Sequence, residues 1–173
     1  MNIKYLLVIF VCAFLTSCEY DAPFSTKDDT QFDKRILGVW KSIDESHPSL
    51  NFSNVLILKT NENEFVVKVL EKGENYYFIG FTFKLDKYDF IQLKFIGIED
   101  GKSYEDLVQK DSKLKKYMLI KYEFVDKDLS VQLINKELIP TTITSQKKLL
   151  EMLKSKIDSK ELFGTKCLFK ENK

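Results

Sequence analysis

One histidine and three cysteines are the side chains of this chain best suited to metal or nucleophilic chemistry. His47 stands in Glu45-Ser46-His47-Pro48, a turn-forming stretch. A metal site needs His, Cys or carboxylates that converge at ligand spacing, and no spaced pair accompanies it. A Ser or Cys nucleophile needs a base, and His47 is the one histidine that could serve. Gly-x-Ser-x-Gly, His-Glu-x-x-His and phosphate-binding glycine loops do not occur. Glu99-Asp100-Gly101 lacks the ligand spacing of a calcium loop and reads as a turn. A glycosidase-type carboxylate pair would have to point into the fold. The acids fall instead in turns and in the stretch before Arg35. The expectation is therefore a protein that is not an enzyme, with no catalytic residue, metal or cofactor.

Composition narrows the partners. The 173 residues are 44% hydrophobic and 31% charged, which suits one globular domain. Basic and acidic residues number 27 and 26, giving a net charge of +1 and no electrostatic footprint for nucleic acid. Phe 14 and Tyr 8 supply ample apolar area for a core, which excludes global disorder.

One segment departs from this average. Residues 1–17 hold a single charge, Lys4, followed by the apolar run Tyr5–Leu15. Eleven residues are too few for a transmembrane helix, which needs about 20, but they fit the apolar region of a signal peptide. The run ends in Leu15-Thr16-Ser17-Cys18. These residues resemble the signal of bacterial lipoproteins, which is cut just before the Cys. The resemblance implies removal of 1–17 and an acyl-bearing thioether, with palmitate as a chain type, on Cys18. It also implies a cell-envelope location, anchored to a bacterial membrane through lipid, the outer one where the cell has two. Several acyl chains anchor stably without a spanning helix. Cys12 leaves with the signal, and Cys167, in Cys167-Leu168-Phe169, reads as a small buried hydrophobe. Loss of Lys4 makes the charges equal, 26 basic (27 − 1) against 26 acidic.

Residues 18–34 carry Pro23, Ser25, Asp28, Asp29 and Asp33 with scattered aromatics, and are expected to form a lipidated flexible tether. The body, 35–173, reads as mainly β. Tyr77, Ile79, Phe81, Phe83 and Leu85 share one face of a strand, opposite Gly80, Thr82 and Lys84. Ile91, Leu93 and Phe95 alternate with Gln92 and Lys94; Met118, Ile120, Tyr122 and Phe124 with Lys121 and Glu123; Leu129, Val131 and Leu133 with Ser130 and Gln132. Phe65, Val67 and Val69 alternate less cleanly. Asn61-Glu62-Asn63, Glu71-Lys72-Gly73-Glu74, Asp86-Lys87 and Asp126-Lys127-Asp128 punctuate them as hairpin turns. With Ile36–Ile43, Asn54–Lys59 and Lys166–Lys170 the strands number eight, enough to close an antiparallel up-and-down barrel. Ser145–Ile157 predicts an amphipathic helix before the last strand, its apolar face Leu149, Leu150, Leu153 and Ile157 packed on the barrel. Residues 97–116 form a long charged connection, either a surface loop or a loop with a short helix.

Leu37-Gly38-Val39-Trp40-Lys41 opens the first strand of the body. A Gly-x-Trp there resembles lipocalins and lipocalin-like bacterial domains, in which the Trp closes one barrel end. The last third, from Tyr117-Met118-Leu119-Ile120 through the helix to Leu168-Phe169-Lys170, is similar to small bacterial lipoproteins of unknown function. The resemblance implies a lipocalin-like barrel. The function expected is that of a non-enzymatic envelope module binding a small apolar ligand or acyl chain. The candidate interior residues are Trp40, Tyr77, Phe81, Phe83, Leu93, Phe95, Met118 and Tyr122. The alternative is an accessory or inhibitory lipoprotein that contacts an envelope protein through the 97–116 loop.

Overall fold

The computed structural model describes residues 19–25, 32–43, 54–71, 74–99, 103, 105–106 and 116–172. Residues 1–18, and with them the expected signal segment and Cys18, lie outside the described residues, as does His47. Nine strands form one antiparallel sheet: β1 (Glu19–Tyr20), β2 (Gly38–Ser42), β3 (Asn54–Lys59), β4 (Phe65–Glu71), β5 (Glu74–Leu85), β6 (Tyr88–Ile98), β7 (Tyr117–Val125), β8 (Asp128–Leu133) and β9 (Cys167–Glu171). From β2 to β9 each strand pairs with the next, and β9 returns to β2, so these eight close an up-and-down barrel. The ninth, β1, was not anticipated. β7 is longer than β8, and β1 pairs with the two residues at its start, Tyr117 and Met118, that β8 leaves free.

Two ends differ in their connections. At one end lie the tight hairpins 60–64, 86–87 and 126–127, together with a 3-10 helix, Lys34–Ile36. Asp86 and Asp126 adopt positive φ values of 53° and 56° there, a backbone that Asp tolerates in hairpin turns. At the other end lie the long connections, including the one that carries α1 (Gln146–Lys156). Ser145 caps α1 by accepting from the Lys148 amide. The first turn holds no acid and two lysines, so docking of buried Leu149 and Leu153 supplies most of the helix stability.

The apolar residues divide into two clusters. The inner one contains Trp40, Phe65, Val67, Phe78, Leu93, Phe95, Tyr122 and Phe169, among others. The outer one joins Phe83, Leu85, Phe90 and Leu119, on the outward side of β5–β7, to Leu149, Leu153 and Ile157 of the helix region and to Tyr20, Ala22 and Phe24. The first part of the expected tether is thus built into the body. Tyr20 and Phe24 are fully buried, edge to face at 4.6 Å. The Tyr20 hydroxyl donates to the Ile139 carbonyl at 3.1 Å, and the Phe24 and Ser25 amides donate to Gln92 Oε1.

Candidate functional site

The site the fold offers is the barrel interior. Register sets which side chains enter it. Phe78 faces Phe95, Gly80 faces Leu93, Thr82 faces Ile91, and these pairs point inward. Trp40, Leu93, Phe95, Met118 and Tyr122 take interior positions or pack against the interior cluster, as the alternation implied. Tyr77, Phe81 and Phe83 do not. They occupy the outward side of β5, where Phe83 stacks on Phe90 at 5.5 Å, Phe81 faces Gln92, and Lys68 lies over the Tyr77 ring at 5.7 Å. The physical reason is space. The Phe65 ring crosses β5 at Gly80, where a Cβ would meet its Cε2 at 2.4 Å and Leu93 Cδ2 at 2.7 Å. Gly80 and Thr82 therefore lie inside with the Tyr76 and Phe78 rings, and Phe81 and Phe83 lie outside, where other elements cover Phe83.

One end is plugged. The Trp40 indole donates to the Ile36 carbonyl at 2.8 Å, fixing the 3-10 helix across the barrel. Asp33 caps that helix and anchors it. Arg35 donates to both Asp33 carboxylate oxygens, at 2.9 and 2.7 Å. The Tyr122 hydroxyl donates to Asp33 Oδ2 at 3.1 Å, and the Asp33 amide donates to Thr82 Oγ1 at 3.2 Å. Arg35 also lies over the Phe124 ring at 4.7 Å, and Phe124 meets Trp40 and Tyr122, each at 6.2 Å. Burial alone would raise the Asp33 pKa. The hydrogen bonds from Arg35 and Tyr122 outweigh it and hold the carboxyl below its ordinary range. Burial, reinforced by the charges of Asp33 and Asp89, pushes the Tyr122 hydroxyl far up, so it remains a neutral donor. The carboxylate's acceptor capacity is taken up within the plug.

Toward the other end the lining is apolar. Val69, Tyr76 and Phe95 are joined by the partly buried Val55, Ile98, Met118 and Val131. Exposure is equally low among the buried residues on both sides of the sheet, 9% at Val69 and 8% at Tyr76 inside against 9% at Phe81 and 8% at Leu85 outside. Val55, Ile98, Met118 and Val131 are only partly buried, so solvent touches the lining at this end. The Tyr76 hydroxyl donates to Glu74 Oε2 at 2.8 Å, leaving a polar group beside this apolar lining. Cys167 is buried on the same wall, its thiol 3.8 Å from the Thr165 carbonyl.

Asp33, Arg35 and Thr82 are the site residues that sequence reasoning missed. The available signal was Tyr122, a polar side chain at an inward position that needs a partner. Most of the 97–116 loop lies outside the described residues; within it Gly97 pairs with Ser103, and Asp106 accepts from the Ser103 amide and hydroxyl. Among the described residues no three His, Cys, Asp or Glu gather to hold a metal ion, and no helix is long and apolar enough to cross a membrane. Neither family models nor curated proteins nor solved structures give a match to this chain.

Proposed function

We propose that this protein is a non-enzymatic, lipid-anchored module of the bacterial cell envelope whose barrel takes up a small apolar ligand or acyl chain, entering from the end with the long connections. An eight-stranded barrel is an architecture that either fills its interior with side chains or holds one ligand. The observation that carries the ligand reading is the asymmetry of the interior. Polar and charged groups gather in the plug, and the opposite end presents a mostly apolar, partly solvent-exposed lining with Glu74 at its rim, bonded to the Tyr76 hydroxyl. An acyl chain needs such a lining and no charge partner within it. The anchor rests on Leu15-Thr16-Ser17-Cys18 and the apolar run before it.

Three measurements test the two parts separately. Native purification followed by mass spectrometry should recover a bound lipid, and N-phenyl-1-naphthylamine should fluoresce with the protein and be displaced by a medium-chain fatty acid. Val131→Trp, which fills the lining, should weaken the probe at least tenfold; equal binding by that variant would place the probe elsewhere and overturn the ligand reading. Labelled palmitate should enter the wild-type chain and not Cys18→Ser, which should keep its signal segment. Labelling of Cys18→Ser would overturn the anchor.

A further inference from the structure

The chain is electrically balanced, yet one side of the barrel is not. Alternation along the paired strands places Lys170 of β9, Lys41 of β2, Lys68 of β4 and Lys94 of β6 on outward positions. From β9 through β2 to β6, no outward position of the strands carries a carboxylate. The acids Glu74, Asp89 and Glu171 fall on inward positions near the barrel ends, and Glu62 and Glu64 belong to the β3–β4 turn. None of the four lysines makes an ion pair among the described residues. Lys41 and Lys170 stand directly opposite one another, a like-charge pair that works against the sheet.

Between these lysines runs an apolar surface: Val39, Leu56, Leu58, Val66 and Ile79. All are at least partly exposed, Leu58 to 53%, and none belongs to either core cluster. The outward residues Phe83, Leu85, Phe90 and Leu119 of β5–β7 are by contrast covered by the N-terminal segment and α1.

We infer that this basic, apolar side of β9-β2-β3-β4 docks a partner protein that presents carboxylates around an apolar centre. Uncompensated lysines around exposed aliphatic side chains are complementary to that surface. A bilayer is the less suitable occupant. β1 pairs with β7, halfway round the barrel from β3, so a lipid on the adjoining Cys18 would hold the membrane at the far flank; this last step rests on the proposed anchor.

The test uses the full-length chain in its own cells, with p-benzoylphenylalanine at Leu58 or Ile79 and, as control, at exposed Val125 on β7. Both test positions should give one discrete protein adduct that the control lacks, and the crosslinked partner peptide should carry Asp or Glu. Combined Lys41→Glu, Lys68→Glu and Lys170→Glu should reduce the adduct at least tenfold, and the three Lys→Arg changes should retain it. Circular dichroism checks that both triple variants fold. An adduct indifferent to charge reversal, one containing only this chain, one with a lipid-sized mass increment, or none at either position would overturn the proposal. Palmitate labelling of the same cells reports the anchor independently.

Discussion

Gly80 shows how a single missing Cβ sets the sense of a strand. The Phe65 ring and the Leu93 side chain occupy the space over it. Gly80→Ala should cost about 1–3 kcal/mol through overpacking, read from the urea midpoint, and Phe65→Leu in the same chain should recover part of it. Asp33 makes a different kind of contribution. Its folded pKa is depressed, so its stabilisation is present above the unfolded value and lost as pH falls through the folded one, below 3.8. Arg35 is largely exposed, which keeps the ion pair weak. Asp33→Asn should lower stability by about 0.5–1.5 kcal/mol at pH 7, most of it from the Tyr122 and backbone hydrogen bonds. The difference from wild type should be flat from pH 5 to 7 and shrink below about pH 4. A difference that grows on acidification would contradict this account.

At the scale of elements, the N-terminal segment and α1 together turn an outer sheet surface into a second core. Gln92 accepts from the Phe24 and Ser25 amides, while its own buried amide nitrogen finds no partner among the described residues. Gln92→Ala should strand both backbone donors and cost about 1–3 kcal/mol. Limited proteolysis should then cut near residues 19–25 faster than in wild type. Leu153→Ala, in the fully buried face of α1, should cost about 2–5 kcal/mol in the same unfolding assay.

The strands, their hairpins and the helix before the last strand were readable because a period of two, broken by turn residues, is a local signal. Which side of a strand faces inward is not local. β5 carries Tyr76, Phe78, Gly80 and Thr82 on one side and Tyr77, Ile79, Phe81 and Phe83 on the other, and only the position of Phe65 on β4 shows that the side with Gly80 is interior. Tyr20, Ala22 and Phe24 also alternate with polar or proline positions, as a strand would. Three residues are too short a run to distinguish docking from a linker. The plug was invisible because Asp33 and Tyr122 are 89 residues apart.

For the molecule as a whole, net charge proved a poor guide to surface. Basic and acidic residues number 27 and 26, nearly equal, but the register sorts them onto different sides. A charge sum cannot see which positions face outward. The same register makes one stability prediction. Deleting 167–173 removes β9 and exposes the edges of β2 and β8 together. Such a chain should lose cooperative unfolding and bind hydrophobic dyes, rather than unfold at a slightly lower midpoint.

That β2 finds its partner in β9 has a further consequence, for time. Trp40 pairs with Glu171, so 131 positions separate two residues that must meet before the ring is complete. Contacts so distant in sequence carry a large loop-closure cost before any packing offsets it. Refolding should therefore be slow for a chain of this size, in the range of milliseconds to seconds. During synthesis the barrel cannot close until β9 has left the ribosome, so β2 to β8 wait, open and threadable, for the strand that joins β2 to β8.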